Sequence, residues 1–335
     1  MLEEEIKRRA RQAGADLAGI APARLLPEAS FLKDWLREGR HGSMGFMLRD
    51  VARREDIRLW HPQSKSVLVC AFRYGGSPSQ SAARTSGLIA RYAAHEDYHR
   101  ALKGRLESVL AWLRERCPGA DGRVFADSSP VMERLYAYHA GLGWIGRNCL
   151  LVNEELGSFF LIAGISLDLE LAADHPVQER CGACRLCLEA CPSRALVQDR
   201  VLDARLCSAY LTLELRGPLP QERRAGIGRW VAGCDLCQEA CPWNRKAHPP
   251  GVLQPLDGQE PLLRDLAGLD DKGFAERFGR TPLSRLKRAG LLRNVLLAMG
   301  NSEHAEFRKI LESFRADPDP VLSEQARWSL DRLPV

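Results

Sequence analysis

The fold is decided by one stretch, Cys181-Gly-Ala-Cys-Arg-Leu-Cys-Leu-Glu-Ala-Cys-Pro192. Its thiols follow the spacing C-x2-C-x2-C-x3-C with a proline behind the last, which is typical of ligands for a 4Fe-4S cluster. A second run, Gly233-Cys-Asp-Leu-Cys-Gln-Glu-Ala-Cys-Pro-Trp-Asn244, is one cysteine short, because Val231 stands where the first would be. Cys207 lies between the runs and can supply the missing thiol. Eight thiolates are therefore available for two clusters.

The two runs also predict which thiols share a cluster. In ferredoxins with two clusters, the fourth cysteine of each run binds the other cluster, because the chain turns away at the proline. We therefore expect one cluster on Cys181, Cys184, Cys187 and Cys241. We expect the other on Cys191, Cys207, Cys234 and Cys237.

Zinc sites and disulfides are the alternative uses of these cysteines. Four-cysteine zinc sites also contain C-x2-C pairs, but zinc needs neither a third cysteine at the same spacing nor a fourth followed by proline. A disulfide framework is typical of secreted chains, and nothing in the sequence marks it for secretion. The spacing favours iron-sulfur clusters over both alternatives.

The composition indicates an ordinary globular chain with ample core: 335 residues, of which 45% are hydrophobic and 27% charged. The net charge is only +5, so a nucleic-acid surface would have to be a local patch. The N-terminus has no apolar segment, and no stretch approaches the roughly 18 apolar residues of a membrane helix. We expect a cytoplasmic chain without membrane spans.

Hydrophobic patterns predict an α+β protein of three parts. Residues 1–175 alternate helices with buried strands and form an expected α/β domain, in which residues 153–157 turn a hairpin that completes the sheet. Residues 176–250 contain the thiol runs in a ferredoxin-like insert, followed by a linker at residues 246–251. Residues 251–335 are predicted to form antiparallel helices, which resemble a HEAT-type repeat.

Two segments of the first part carry residue types that suit a cofactor site. Three glycines lie in Ala140-Gly-Leu-Gly-Trp-Ile-Gly-Arg-Asn148, and glycine lets the backbone approach a flat or phosphate-bearing ligand. Arg53, Arg54 and Arg58 lie close together, either as solvated surface or as an anionic cofactor site. Asp127-Ser-Ser-Pro follows a predicted strand, and on residue types alone Asp127 is a turn or helix-cap residue.

Several motifs occur together in this chain: Arg91-Tyr with Asp97-Tyr-His99, Asp127-Ser-Ser-Pro with Glu133-Arg134, the glycine segment to Asn148, Cys207-Ser-Ala-Tyr-Leu-Thr-Leu-Glu214, and the run to Asn244. With these and the C-terminal helices, the chain resembles the epoxyqueuosine reductase family over nearly its whole length. That family comprises cobalamin-dependent iron-sulfur enzymes of queuosine biosynthesis. It is also similar to the cobalamin core of reductive dehalogenases.

The resemblance implies a division of labour among the three parts. The N-terminal domain would bind cobalamin, the insert with two 4Fe-4S clusters would supply single electrons, and the C-terminal repeat would help hold tRNA. The expected substrate is epoxyqueuosine at the wobble position of a tRNA anticodon, whose epoxide oxygen leaves as water at the cost of two electrons and two protons. An unidentified donor such as a flavodoxin or ferredoxin would provide the electrons, and we expect a monomer.

The resemblance also implies roles for single residues. Asp127 matches the family's proton donor, and this role requires burial against corrin and substrate to raise its pKa above an ordinary value of about 3.9. The expected cobalamin contacts are Arg54, Asp127, Trp144, Arg147, Asn148, Ser158, Ser208 and Asp235. Ala90 stands where some relatives have a cysteine, so Asp127 would carry the local proton chemistry alone or with water.

The remaining histidines and cysteines have ordinary interpretations. His95 and His99 are expected to be surface or core residues rather than metal ligands. Cys70, Cys117 and Cys149 are expected to be small buried residues of apolar character.

The segment of residues 280–293 carries five cations and no acid. A solvated helix face is one interpretation. The resemblance favours tRNA contact by Arg285, Lys287 and Arg288. Arg216, Arg223 and Arg224 are the second choice.

Two competing functions are a reductive dehalogenase and a simple electron carrier. Reductive dehalogenases are typically exported with a twin-arginine signal, which this N-terminus lacks. An electron carrier would explain residues 181–244 but leave most of the chain without a role.

Overall fold

The computed structural model describes residues 1–75, 83–246, 251–256 and 260–334. Most of the linker expected at residues 246–251 lies outside the described residues. In the described ranges, no helix combines the length and apolar character needed to cross a membrane.

The first part of the chain mixes helices with one main sheet. Its helices and strands are α1 (Leu2–Gln12), β1 (Leu17–Pro22), α2 (Phe31–Arg37), α3 (Val51–Glu55), β2 (Ser66–Arg73), β3 (Leu88–Ile89), α4 (Tyr98–Arg116), β4 (Gly122–Phe125), α5 (Glu133–His139), β5 (Trp144–Ile145), β6 (Leu151–Val152) and β7 (Phe160–Leu167). The four-stranded sheet has the order β1-β2-β7-β4, and each neighbouring pair is antiparallel.

Strand β2 is buried on both faces, which explains its unbroken run of apolar residues. Because successive side chains point to opposite faces, Leu68, Cys70 and Phe72 pack in the core that contains α1 and α4. The alternate residues of the strand pack in a second core with α5. The apolar stripe of α4, which includes Leu102, Leu106 and Val109, is buried in the first of these cores.

The predicted hairpin at residues 153–157 is only partly correct. Asn153 and Gly157 form an isolated bridge, but β6 pairs with β5 rather than with β7. Gly143 explains this pairing, because a Cβ there would lie 2.2 Å from the Val152 carbonyl oxygen. The chain before β5 therefore passes close against β6, and β7 completes the sheet by pairing with β2 and β4.

The cysteine-rich part consists of short elements: α6 (Leu186–Glu189), β8 (Leu196–Gln198), β9 (Val201–Leu202), α7 (Ser208–Leu213), α8 (Gln221–Ile227), β10 (Trp230–Ala232) and α9 (Leu236–Glu239). It is joined to the first part by parallel pairing of β10 with β3. Gly233 follows β10 with φ +74°, and a Cβ there would lie 2.5 Å from the Cβ of Ala90. Only glycine suits this contact.

The C-terminal part is helical: α10 (Leu263–Ala267), α11 (Asp271–Phe278), α12 (Lys287–Ser302), α13 (Arg308–Phe314) and α14 (Pro320–Leu330). Helix α12 is central and packs against α10 and α14. Its core also contains Ile89, Leu213 and Val231 from the two earlier parts. The C-terminal helices therefore share a core with the rest of the chain.

Candidate active site and thiol cages

The first four thiols surround one cavity. Cys181, Cys184, Cys187 and Cys241 line a cavity of about 230 Å³, bordered also by Arg147 and Trp243. Cys181 and Cys184 lie in the loop that leads into α6, Cys187 lies in α6 itself, and Cys241 follows α9. Burial and the neighbouring Cys241 thiol raise the pKa of Cys187 to about 11. The structure thus brings together the four thiols that the crossover rule assigns to one cluster.

The other four thiols form a second group. Cys207 is the N-cap residue of α7. Burial, together with the Cys207 and Cys191 thiols, raises the pKa of Cys234 to about 12. Burial and the same neighbours also raise the pKa of Cys237 well above its ordinary range. Thiols in such surroundings ionise when a metal centre coordinates them.

Asp127 lies two residues after β4, where side chains from α4 and α5 reach it. Its Oδ2 accepts hydrogen bonds from His99 Nε2 at 2.8 Å and from the Tyr98 hydroxyl at 3.0 Å. Its backbone N–H donates to the carboxylate of Glu133. The Asp127 side chain is nevertheless 58% exposed, so one side of the carboxylate is open to a ligand.

His99 lies between two carboxylates. Its Nδ1 is 2.7 Å from Asp97 Oδ1, and Asp97 is also the N-cap of α4. Desolvation lowers the pKa of His99, but the hydrogen bonds with Asp127 and Asp97 outweigh it, so the pKa is raised. His99 is half-buried and lies within hydrogen-bond distance of two carboxylates, and its interpretation as a surface or core residue did not predict these bonds. His95 is a core residue, as predicted, because its side chain is buried and bonds to the Arg91 carbonyl.

The pKa of Asp127 is lowered in the protein alone. Burial raises it, but the hydrogen bonds from His99 and Tyr98 outweigh burial, so the pKa lies below its ordinary value. The rise that the resemblance implies depends on corrin and substrate covering the open side of the carboxylate, so it stays a prediction. A ligand that covered this side would remove water and favour the neutral acid.

Glu133 and Arg54 complete the surroundings of Asp127. Burial and the Asp127 charge raise the pKa of Glu133 to about 8. Desolvation lowers the pKa of Arg54, which faces the carboxylates of Asp50, Asp127 and Glu133. Arg54 Nε is buried and has no hydrogen-bond partner among the residues that the structure describes. Of the predicted cobalamin contacts, Arg54 thus lies beside Asp127.

Two further predicted contacts line the first thiol cavity, and a third packs against a tryptophan of its wall. Arg147 and Asn148 line it, and Asn148 Nδ2 is 3.5 Å from the Cys237 carbonyl oxygen. Arg147 pairs with Asp199. Trp144 packs edge-on against Trp243, with ring centroids 5.3 Å apart, and its Nε1 has no partner within the described part of the chain.

The last three predicted contacts are buried beside the thiol runs. Ser158 Oγ donates to Gln238 Oε1 at 2.9 Å, and Gln238 Nε2 donates to Asp235 Oδ1 at 3.2 Å. Asp235 Oδ2 also accepts from the Arg91 backbone N–H at 2.7 Å. Burial raises the pKa of Asp235 to about 6. Ser208, also buried, begins α7.

Comparison with known proteins gives two family models and a long match to curated relatives. Residues 54–128 match the model described as epoxyqueuosine reductase QueG, DUF1730, and residues 180–244 match the 4Fe-4S double cluster binding domain. The chain is similar to an epoxyqueuosine reductase of Cyclobacterium marinum, with 39% identity over 87% of this chain and 94% of the relative. The chain belongs to the epoxyqueuosine reductase family.

Solved structures of the family share the fold. An epoxyqueuosine reductase from Streptococcus thermophilus is 27% identical, with a TM-score of 0.92 over 100% of this chain and 91% of that one. An epoxyqueuosine reductase solved with an epoxyqueuosine-modified stem loop of tRNA-Tyr is 28% identical, with a TM-score of 0.90. That match covers 99% of this chain and 90% of the other. The mixed helix-and-sheet fold with a 4Fe-4S domain is therefore that of epoxyqueuosine reductases.

In this member of the epoxyqueuosine reductase family, the basic segment of residues 280–293 is not a uniform surface. Arg293 is buried and donates to the carbonyls of Leu211, Leu215 and Gly217. Arg288 Nε donates to the Leu269 carbonyl at 2.6 Å. Arg293 is therefore structural rather than available to a phosphate.

Arg285 connects this segment to the candidate active site of the epoxyqueuosine reductase fold. It is exposed, pairs with Glu214 at 2.7 Å and lies over the Phe46 ring at 5.2 Å. Its positive charge also helps to lower the pKa of Asp127. Among the second-choice residues, Arg224 is 1% exposed and pairs with Glu324, so its prediction as a tRNA contact is wrong.

The cysteines outside the two groups differ from one another. Cys70 is buried, as predicted, but Cys117 and Cys149 are partly exposed, so their prediction as buried residues is wrong. Cys117 is the C-cap of α4, and Cys149 occupies a turn with φ +66°.

Proposed function

We propose that this chain reduces epoxyqueuosine to queuosine at the wobble position of tRNA anticodons. The observation that carries the proposal is the Asp127 carboxylate, which is held by His99 and Tyr98 and open on one side. It lies in the region that matches the epoxyqueuosine reductase model. A relative of the same fold binds a tRNA stem loop with this modification. Family membership favours this function over reductive dehalogenation.

The two thiol groups are proposed to hold two 4Fe-4S clusters in the crossed arrangement. Support comes from the first cavity, whose four thiols include Cys241 from the second run. Support for the second set comes from the mutual influence of Cys191, Cys207, Cys234 and Cys237. The clusters would pass single electrons to the site at Asp127.

Cobalamin is the second proposed cofactor, and some of the predicted contacts fit it. Arg54 Nε and Trp144 Nε1 are buried donors without partners in the described ranges, and they suit the phosphate and amide oxygens of a corrin. Asn148, Ser158 and Asp235 already bond within the protein and would support the walls of the site. When bound, cobalamin supplies a strongly reducing cobalt centre for removal of the epoxide oxygen.

The side chains around Asp127 are suited to proton supply. Asp127 would deliver a proton to the departing epoxide oxygen once the ligands cover its open side. His99 Nε2 lies 2.8 Å from Asp127 Oδ2 and can return a proton to it. Asp97 stabilises the imidazolium form of His99. The reaction needs two protons, and this pair would hold both once covering of the open side makes Asp127 neutral while His99 stays protonated.

The proposal also divides the chain into three parts and includes an electron-donor protein. The proposed division is a cobalamin-binding domain at residues 1–175, a ferredoxin-like insert at 176–250 and a HEAT-like tRNA-contacting part at 251–335. A flavodoxin or ferredoxin as the electron donor, the monomeric state and a cytoplasmic location stay predictions.

Replacing His99 tests the proton supply. His99→Asn is expected to lower turnover by about 10²-fold, the low end of general acid catalysis. Because the protonated imidazole is the active form, wild-type turnover should fall as pH rises through the raised pKa of His99. The variant should lack this limb of the pH profile. Turnover measured between pH 5.5 and 9, in steps of about half a pH unit, shows whether this limb is present.

Asp97→Asn is the matched variant for this experiment. It leaves His99 in place but stabilises the protonated imidazole less. The pKa of His99 should therefore fall, and the falling limb of the pH profile should move to lower pH. An unchanged limb in His99→Asn, with iron and cobalamin at wild-type levels, would assign the proton supply to another group.

The exposed cations of the basic segment are expected to contact tRNA. Arg285→Gln with Lys287→Gln should flatten the salt dependence of binding by about 0.7 to 0.9 per lost phosphate contact, or about 1.4 to 1.8 in total. With Arg288→Gln added, the salt dependence of binding should flatten by at most about two to three in total. Binding of a substrate stem loop, measured from about 50 to 200 mM salt, gives the slope.

Lys309→Gln with Arg315→Gln is a matched control, because both side chains are exposed on the same C-terminal part. It should leave the slope unchanged. If the variant of Arg285 and Lys287 binds with the wild-type affinity and slope, the tRNA does not contact this segment.

The function itself is tested in a bacterial strain that lacks its own epoxyqueuosine reductase. Expression of this chain should convert the epoxyqueuosine of its tRNA to queuosine, measured by nucleoside mass spectrometry. Epoxyqueuosine that persists despite abundant protein with both clusters and cobalamin would reject the proposal.

A further inference from the structure

Asp127 has an unusual backbone conformation for a residue with a side chain. Its φ is +56°, in the left-handed region that glycine adopts easily and other residues rarely do. Such a conformation persists where surrounding contacts hold it, and it is enriched at functional sites. The question is therefore which contacts hold the chain here.

Two helices hold Asp127 from different sides. Helix α4 contributes Tyr98 and His99, which bind the carboxylate. Helix α5 contributes its first residue, Glu133, whose Oε1 accepts the backbone N–H of Asp127. The loop between them is also tied down by the Lys103 ammonium, which donates to Ser128 Oγ at 3.0 Å.

We propose that Glu133 is a positioning residue, which fixes the left-handed backbone of Asp127 so that the carboxylate points between His99 and the open side of the site. The catalytic part of this inference rests on the proposed function. The bond needs an acceptor oxygen at this point but not a negative charge. An amide oxygen in the same position should therefore replace the carboxylate.

The charges near Glu133 are consistent with a neutral acceptor. It faces Asp127, Arg134 and His99, and Arg54 lies within range of both carboxylates. Burial and the Asp127 charge raise its pKa to about 8, which favours the neutral acid beside the Asp127 carboxylate. Glu133 can therefore accept the Asp127 N–H while adding little negative charge beside the Asp127 carboxylate.

Two variants of Glu133 distinguish the effect of the acceptor oxygen from the effect of the side-chain volume. Glu133→Gln keeps an acceptor oxygen, whereas Glu133→Met keeps a similar volume without one. We expect Gln to retain kcat within about threefold and Met to lose about 10²-fold, because a misplaced catalytic group has an effect of this size. KM for the tRNA should change little in either variant. Iron and cobalamin content should stay at the wild-type level in both.

Hydrogen exchange tests the backbone claim without any need for activity. Amides of residues 126–131 should exchange faster in Glu133→Met than in the wild type, and at the wild-type rate in Glu133→Gln. In Glu133→Asp the side chain is too short to reach the Asp127 N–H, so this variant is expected to behave like Glu133→Met. It replaces Glu133→Met in the experiment if that variant does not fold.

Wild-type exchange and wild-type kcat in the Met or Asp variant would overturn the inference. So would a Gln variant that behaves like Met, because the acceptor would then not be the decisive feature. If no variant and no wild-type preparation reduces epoxyqueuosine, the proposed function fails, while the exchange rates still decide the role of Glu133.

Discussion

Asp127→Asn is expected to lower the turnover of epoxyqueuosine by about 10²–10⁴-fold, the usual contribution of general acid catalysis. The amide is nearly isosteric, and its oxygen can still accept hydrogen bonds from His99 and Tyr98. It has no acidic proton to deliver to the epoxide oxygen. The loop and the cofactors should therefore remain in place while the chemistry is lost. Single-turnover conversion of a modified stem loop by intact holoprotein measures this effect.

Asp50→Asn is a matched control for this substitution. Asp50 also has a left-handed backbone, with φ +57°, and its carboxylate pairs with Arg53 on the surface. Its replacement should leave turnover within about twofold of the wild type. A rate within about threefold of the wild type in Asp127→Asn would remove Asp127 from the proton transfer.

Cys207→Ala is expected to disrupt one cluster and spare the other, and turnover should be lost with it. Wild-type protein prepared without oxygen should contain about eight irons and about eight labile sulfides per chain. The variant should retain between about four and seven irons, depending on whether its damaged cluster is lost or converted. The reason is that the proposed second set places Cys207 with Cys191, Cys234 and Cys237, in the role of the ligand absent at Val231.

Cys149→Ala is the control for a nearby thiol outside the predicted set. Cys149 lies close enough for the Cys207 thiolate to help burial raise its pKa to about 11. Its loss should leave both clusters intact. Eight irons and two cluster signals in Cys207→Ala would contradict the assignment. Stoichiometric zinc in anaerobically prepared wild-type protein, with failed cluster reconstitution, would contradict the clusters themselves.

The cysteine groups could be predicted from sequence because short loop spacing determines them. The step from Cys187 to Cys191 and the proline behind it are local, and the crossing to Cys241 follows from a rule for paired runs. The pairing of β5 with β6 could not be predicted in this way. It depends on the close approach of Gly143 to Val152, which leaves no periodic signal.

The surroundings of Asp127 were harder to predict than Asp127 itself. His99 and Glu133 reach it from two different helices, and only the packing of α4 and α5 beside β4 brings them together. A polar residue at the start of a helix is common, so the local spacing of Asp97 and His99 does not distinguish a helix cap from a supply of protons.

The number of cations in a segment also predicted its tRNA-contacting surface only in part. Arg293 and Arg224 raise the positive charge of their segments but are buried, because backbone carbonyls of neighbouring loops bind their guanidinium groups. Arg285 remains exposed and lies within electrostatic range of Asp127. The exposed cations that can meet a phosphate are therefore fewer than the sequence suggests.

Reduction of epoxyqueuosine by this chain can be followed in a defined anaerobic reaction. Holoprotein reconstituted with clusters and cobalamin is mixed without oxygen with a chemical reductant and an anticodon stem loop that carries epoxyqueuosine. Mass spectrometry of the nucleosides should show loss of one oxygen atom from epoxyqueuosine and formation of queuosine, and Asp127→Asn should show almost none. Unchanged epoxyqueuosine after incubation with fully loaded, reduced wild-type protein would contradict the proposed function.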